Sequence, residues 1–159
     1  MTQRIDYQIQ SPAPFKKLLE LSLLSKDSAI EESIRSLVAI RASQINGCAF
    51  CVDMHVKQAK IRGERELRLH HLAIWRESTL FAPRERAALA WTEVLTRIPD
   101  QGVPDELYER VRSQMSEREL SDLTFEIMTI NAWNRVNVAF RTVPGSADAV
   151  YGLLESKLS

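Results

Sequence analysis

Cysteine, glycine and proline are all scarce in this sequence. Its 159 residues include two cysteines, five glycines and six prolines. Two cysteines are too few for the disulfide framework of a small secreted fold. The few glycines and prolines fall at the ends of apolar segments, where they mark the boundaries of helices.

A surplus of charge of one sign is also absent. The chain has 21 lysines plus arginines and 21 aspartates plus glutamates, so its formal net charge is zero. A dedicated binder of nucleic acid or of an anionic membrane would carry a basic surplus. Uninterrupted apolar runs of about 20 residues, which could span a bilayer, are missing too. The first residues are polar and do not resemble a secretory signal. We therefore expect a cytoplasmic protein with no nucleic-acid or membrane partner.

What the sequence does contain is helical periodicity. Apolar residues make up 45% of the chain and recur at helical spacing, and no segment shows sustained two-residue alternation. This pattern predicts an all-α fold of about seven to eight helices, in one domain that covers residues 1–159. The predicted helices cover about residues 15–24, 29–45, 48–62, 66–75, 84–97, 105–113, 119–142 and 147–154.

Several helix starts carry capping residues. A serine followed three residues later by a glutamate can form a capping box, in which each side chain accepts from a backbone N–H of the first turn. Single asparagine and serine residues can also cap a helix. The predicted capping boxes are Ser28 with Glu31 and Ser116 with Glu119, and the predicted single caps are Asn46 and Ser146.

The predicted helix at 119–142 is apolar on more than one face. A helix that is apolar all round is buried, so this one is either a central core helix or a helix shared with another subunit. Asn131 and Asn134 lie on it, and buried amides need hydrogen-bond partners. We expect these two asparagines to link helices.

The two cysteines and a histidine form the most informative motif. Cys48 and Cys51 are three residues apart, and His55 follows Cys51 by four. On a helix that begins near Cys48, these spacings place all three side chains on one face. The unpaired N–H groups of the first turn favour the thiolate, and a histidine can accept or return its proton. The arrangement suits a reaction in which one thiolate attacks a peroxide or disulfide and the second cysteine resolves the product.

Two other interpretations of the motif remain open at this point. Cysteines and a histidine can bind zinc, but a structural zinc site needs four ligands, and only His70 and His71 remain as usual donors. The cysteines could also be inert, because free cysteine packs as a small apolar residue. A thioredoxin-like fold is not expected, since no βαβ pattern surrounds the motif.

Residues 41–55, which read RASQINGCAFCVDMH, resemble the AhpD-like alkylhydroperoxidases of the carboxymuconolactone decarboxylase family. The shared signature is S-Q-I-N-G followed by C-x-x-C-x-x-x-H. The resemblance continues through tryptophan-containing segments and covers about residues 30–142. Those segments are residues 73–78, 80–81, 85–96 and 131–135.

The resemblance implies an all-helical, AhpD-like bundle that assembles as a homo-oligomer, a trimer or hexamer. It also implies a thiol-dependent peroxidase without a cofactor or metal, which would reduce a hydroperoxide and be restored by an external dithiol or thioredoxin-like reductant. By motif position, Cys51 would be the peroxidatic cysteine, Cys48 the resolving cysteine and His55 part of a proton relay.

One position departs from the family. In AhpD a glutamate twelve residues before the first cysteine completes the relay, and here that position is Ser36. A serine cannot act as an anionic partner for His55. Glu32, one helical turn earlier, and Glu93, on a later helix, are the two substitutes. We expect Glu93, because a carboxylate beside an apolar helix face normally needs a partner.

Two functions compete with the peroxidase. The decarboxylase branch of the family generally lacks the paired cysteines, and a lactone decarboxylase-like enzyme would use the histidine without redox chemistry. A non-enzymatic redox-sensing or assembly protein would oxidise Cys48 and Cys51 reversibly without consuming peroxide catalytically.

Overall fold

The structure is a computed structural model that describes residues 2–158. Those residues form nine α-helices and three short 3₁₀ turns, and they contain no strand, so the all-α prediction is confirmed. The helices are α1 (Tyr7–Gln10), α2 (Pro12–Leu23), α3 (Glu32–Asn46), α4 (Ala49–Ile61), α5 (Glu66–His71), α6 (Pro83–Thr96), α7 (Asp105–Arg112), α8 (Glu117–Phe140) and α9 (Asp148–Tyr151). The 3₁₀ turns are Leu24–Asp27, Leu72–Ile74 and Leu153–Ser156.

Helix α3 lies at the centre of the bundle and packs against α4, α6 and α8. Its large apolar residues are divided between two core clusters, because they project from two different faces of the helix. Ile34 and Val38 pack with α6, α7 and α8, whereas Leu37 and Ile40 pack with α4, α6 and the segment that includes Trp75. Burial on both faces makes α3 the helix that holds the two halves of the core together.

Helix α8 is the second central element, and it also packs against α3 and α6. Ser116 and Glu119 form the predicted capping box at its start, with each side chain accepting a backbone N–H of the other residue. Phe125 and Met128 nevertheless remain exposed on its outer face. None of the described helices is long and apolar enough to cross a membrane.

The other predicted caps are wrong. Ser28 bonds to the N–H of Ile30 within a turn, and α3 begins only at Glu32 without a side-chain cap. Asn46 is the last residue of α3, and Ala147 rather than Ser146 precedes the short α9. Ser28 and Ser146 lie three residues and one residue before the actual N-caps of these helices, which are Glu31 and Ala147.

The two ends of the described chain fold back over α4 and α8. The backbone N–H of Arg4 donates to the carbonyl of Phe140, at the end of α8, at 2.9 Å. On the other side, the buried Lys57 of α4 bonds to Asp53 at 3.0 Å and to Asp148 at 2.6 Å. A buried ammonium needs such partners, so this pair of carboxylates attaches the C-terminal segment to α4.

The asparagines of α8 link helices, as predicted. The side-chain amide of Asn46, on α3, donates to the oxygens of Asn131 and Asn134, both at 2.9 Å. Asn134 in turn donates to the hydroxyl of Ser43 at 3.0 Å, and Asn131 donates to Thr96 of α6 at 3.1 Å. These hydrogen bonds hold the end of α3 in place immediately before the two cysteines.

We predict that Asn134→Ala lowers the free energy of unfolding by about 1–3 kcal/mol, because it removes one of the two acceptors of Asn46 and the donor to the buried hydroxyl of Ser43. Urea denaturation measures the change, with the exposed Ser121→Ala on the same helix as the control. The double variant with Asn46→Ala should cost less than the sum of the two single changes. Strict additivity would contradict a shared network.

Candidate active site

The turn between α3 and α4 places the first cysteine. Gly47 adopts a left-handed conformation, with φ of 66°, that ends α3 and that a residue with a side chain would adopt at a cost. Cys48 is then the N-cap of α4, and its Sγ accepts from the backbone N–H of Cys51 at 3.3 Å. The chain therefore reverses over two residues and delivers Cys48 to the first turn of a new helix.

Cys48 and Cys51 are joined as a disulfide. Both are buried, with 2% and 1% of their surfaces exposed. Cys51 nevertheless lines a large cavity, whereas Cys48 is not part of its wall. A small molecule in the cavity can thus reach Cys51 first, and Cys48 lies behind it.

The cavity has a volume of about 890 Å³. That volume is within the range of ligand sites, and the wall combines apolar side chains with many polar and charged ones. Both ends of the chain contribute to it, because α1, α2 and the segment 142–151 close over α3, α4 and α8. Side chains from each of these parts line the cavity, among them Tyr7, Leu19, Ala39, Met54, Ile130 and Val150.

His55 lines the same cavity, one helical turn after Cys51. Its Nδ1 lies 2.9 Å from Oε1 of Gln58. With that oxygen as the acceptor, Nδ1 carries the proton and Nε2 keeps its lone pair. Burial lowers the pKa of His55 to about 4, and the positive charge of Arg62 acts in the same direction. The imidazole is therefore neutral at physiological pH and can accept a proton.

Ser36, at the position where AhpD has a glutamate, belongs to a different set of contacts. Ser36 accepts from Arg62 at 3.3 Å, and Arg62 forms an ion pair with Glu32 at 3.0 Å. All three residues line the cavity. The carboxylate of Glu32 is thus paired with Arg62, and the hydrogen-bond partner of His55 is Gln58.

Glu93 lies elsewhere, and its expected pairing with His55 is not what the structure shows. Its carboxylate accepts from Arg41 and from the indole N–H of Trp75, both at 2.8 Å, and from Arg76. Burial opposes ionisation of Glu93, but these three donors outweigh it and hold its pKa below the usual value. The sequence correctly indicates that this carboxylate needs partners. It does not identify those partners, because Arg41 on α3 and Arg76 after α5 are distant from Glu93 in sequence.

Several residues of the site are not found by the sequence analysis. Gln58 follows His55 by three residues, and this helical spacing could have identified it. Asn137, on α8, contacts Cys51, and it continues the three-residue spacing of Asn131 and Asn134. Glu126, also on α8, lines the cavity, and burial raises its pKa.

The cysteine–histidine group does not include a metal site in the part of the chain described. Nowhere in residues 2–158 do three or more histidine, cysteine, aspartate or glutamate side chains form a group that could hold a metal ion. The sulfurs bond to each other, and His55 pairs with an amide. This geometry is that of a dithiol centre beside a neutral base.

This chain matches the profile of one protein family and is similar to a bacterial sequence over most of its length. The sequence profile of the carboxymuconolactone decarboxylase family matches residues 12–94. The uncharacterized protein YdfG of Bacillus subtilis (strain 168) is 43% identical over 139 residues, which cover 87% of this chain and 95% of YdfG.

Solved structures extend the likeness to the fold. ATU0492 from Agrobacterium tumefaciens, a protein of unknown function proposed to be an antioxidant defence protein AhpD, superposes with a TM-score of 0.87. The two chains are 40% identical, and the match covers 90% of this chain and 98% of that one. The debrominase Bmp8 superposes with a TM-score of 0.75 at 19% identity, over 92% of this chain and 78% of Bmp8. At that identity the likeness to Bmp8 concerns the fold alone.

We predict that half of His55 is protonated only near pH 4. This pKa lies below the value of about 6.5 for an unfolded histidine, so protonation favours the unfolded chain. His55 therefore contributes stability above about pH 6.5 that is lost as the pH falls towards 4. Nuclear magnetic resonance titration of the imidazole C–H signals measures the pKa, with His55→Gln to assign the signal.

Arg62→Gln is the control for that titration. Removal of the positive charge should raise the pKa of His55, although burial keeps it below that of an unfolded histidine. A pKa for His55 of about 6 or above in the parent protein would contradict the prediction.

Proposed function

Because this chain belongs to the carboxymuconolactone decarboxylase family, as an AhpD-like member, we propose that it is a thiol-dependent peroxidase that reduces alkyl hydroperoxides. One observation carries the proposal. Cys51 and His55 line the same cavity, and Cys48, which is not part of the cavity wall, forms a disulfide with Cys51. A nucleophile, a base and a resolving thiol are thus present together, which is the set that a peroxide reaction needs.

The proposed reaction begins with the reduced protein. Neutral His55 takes the proton of the Cys51 thiol, and the thiolate attacks the terminal oxygen of the hydroperoxide. The O–O bond breaks, Cys51 becomes a sulfenic acid, and the imidazolium returns the proton to the departing alkoxide, which leaves as an alcohol. The Cys48 thiol then attacks the sulfenic sulfur, releases water and forms the disulfide present in the structure.

An external dithiol closes the cycle. It gives two electrons and two protons to the Cys48–Cys51 disulfide and becomes a disulfide itself. We propose that a small dithiol or a thioredoxin-like protein fills this role. Cys51 is the sulfur that an approaching thiolate reaches, because Cys48 is not part of the cavity wall.

The cavity supports an organic hydroperoxide as the substrate. Hydrogen peroxide is about as large as two water molecules, whose share of liquid volume is about 30 Å³ each. A cavity of about 890 Å³ with Leu19, Ile130 and Val150 in its wall has room for an apolar chain beside Cys51. Burial of that chain would contribute binding energy in proportion to its apolar area.

Assembly into a homo-oligomer is part of the same proposal. Phe125 and Met128 on the outer face of α8 are 56% and 48% exposed. Apolar side chains of this size are commonly buried where copies of a chain associate. Together with the family, this favours a trimer or hexamer.

We predict that the reduced protein consumes an alkyl hydroperoxide catalytically when a dithiol is supplied. Cys51→Ser should abolish turnover, because it removes the attacking sulfur. In the absence of the dithiol, Cys48→Ser should react once per chain and stop at the sulfenic acid of Cys51, because no second thiol in the chain can resolve it. His55→Gln should lower kcat/KM about 100-fold or more, whereas the exposed His70→Gln should leave it unchanged.

Peroxide consumption and trapping of the sulfenic acid measure these outcomes. Turnover that survives Cys51→Ser would contradict the proposal, and an activity that needs His55 but neither cysteine would favour the decarboxylase-like alternative. Reversible loss of two thiols per chain without turnover would favour a redox sensor.

We predict that Glu93→Gln reduces stability without changing the pH profile of peroxide consumption. The variant keeps the shape of the side chain but removes the charge that binds Arg41 and Arg76. Thermal denaturation and kcat/KM as a function of pH are the two measurements. A shifted pH profile together with unchanged stability would contradict this prediction and indicate that Glu93 takes part in the proton relay.

A further inference from the structure

We propose that Asn137 is a further catalytic residue, whose side-chain amide donates a hydrogen bond to the Cys51 thiolate, and that Tyr7 positions this amide. The inference rests on the proposed function, because it concerns the same dithiol centre. Asn137 lies on α8, with 4% of its surface exposed, and its Nδ2 is 3.6 Å from Sγ of Cys51. That distance is normal for a hydrogen bond to sulfur.

Hydrogen bonds at both ends of the Asn137 side-chain amide determine its orientation. Nδ2 also donates to the backbone carbonyl of Trp133 at 3.0 Å, and a carbonyl can only accept, so this end of the amide must be the NH₂ group. At the other end, the hydroxyl of Tyr7 donates to Oδ1 at 3.1 Å. Nδ2 has two hydrogens, so the one not used by Trp133 is directed at Cys51.

Tyr7 is itself held by packing. Its ring stacks on Phe140 with centroids 5.9 Å apart, and Phe15 packs beside it at 6.1 Å. Burial raises the pKa of Tyr7, so its hydroxyl keeps the proton that it donates. Tyr7 of α1 thus contacts Asn137, and Asn137 in turn contacts Sγ of Cys51.

Cys51 needs a donor from another helix because of its place on α4. The N–H of Cys51 points back along the helix to Sγ of Cys48, the N-cap. The donors of the helix start therefore serve Cys48, while Cys51, one turn further on, depends on side chains. A hydrogen bond to an ionised acceptor is about twice as strong as one to a neutral acceptor. The amide therefore stabilises the thiolate relative to the thiol, without taking or giving a proton.

Other charged or titratable groups face the cavity. They remain in place in every variant proposed below, so they do not account for a difference between variants. They are Asp6 before α1, Lys26 after α2, Glu32 and Arg35 on α3, His55 and Arg62 on α4, and Glu126 on α8.

The test measures the pKa of the Cys51 thiol in Cys48→Ser, a full-length chain with a single thiol, in which the serine can still cap α4. The rate of alkylation by iodoacetamide as a function of pH gives the pKa. Asn137→Leu, of similar shape, should raise it by about 1–2 units, the range expected for loss of one hydrogen bond to a charged group. The alkylation rate on the high-pH plateau should rise about threefold per unit, because a more basic thiolate is more nucleophilic.

Two more variants keep the test decisive if Asn137→Leu does not fold. Asn137→Asp keeps the shape and places a negative charge beside the sulfur, and it should raise the pKa of Cys51 by more than the leucine does. Tyr7→Phe keeps the ring but releases Oδ1, and it should shift the pKa upwards by a smaller amount. An unchanged pKa in the folded variants of Asn137 would overturn the proposal.

Matched controls separate this role from a general loss of packing. Thr129→Val removes a buried polar group that lies on the same helix and lines the same cavity without contact to sulfur. Tyr151→Phe removes the hydroxyl of another tyrosine in the cavity wall. Both should leave the pKa of Cys51 unchanged, and a shift as large as that of Asn137→Leu would overturn the proposal. The thiol titration is independent of turnover, so it tests Asn137 even if no hydroperoxide proves to be a substrate.

Discussion

The reversal of the chain between α3 and α4 is the constraint on which the site depends. Gly47 ends α3 in a left-handed conformation, and Cys48 immediately caps α4. This junction is rigid because Asn46, just before it, is bonded to two asparagines of α8. The same junction assigns different surroundings to the two sulfurs, since Cys48 receives the backbone donor of the helix start and Cys51 faces the cavity. A difference in surroundings between two cysteines that lie three residues apart thus follows from one helix boundary.

The electrostatics of the site depend on neutral dipoles more than on charge pairs. His55 is held by an amide, and burial keeps it uncharged. Cys51 likewise faces the amide of Asn137 rather than a cation. Two charged residues of the cavity wall, Glu32 and Arg62, neutralise each other in an ion pair, and Arg62 also donates to Ser36. Such dipoles can stabilise a developing charge without adding a net charge of their own.

Local patterns in the sequence predict the helices and the arrangement of the motif. Cys48, Cys51 and His55 share one helix, and their relative placement depends only on the helical repeat, so spacing alone is sufficient. The same holds for the capping box at Ser116 and for the linking role of Asn131 and Asn134, whose polarity on an apolar helix requires partners. Ser28 and Ser146 are not caps, because α3 and α9 begin at Glu32 and Asp148, later than the residue that follows each serine.

The tertiary structure decides the partners of the candidate site residues. Glu93 binds Arg41, Trp75 and Arg76, which are distant in sequence, so its need for a partner was visible but the identity of that partner was not. Asn137 meets Cys51 across 86 residues, and Tyr7 meets Asn137 across 130. The sequence by itself determined that two thiols and an imidazole lie on one helix face, because helical geometry is local. Only packing of the helices decided which donors surround them, because side chains from separate helices meet according to the shape of the whole core.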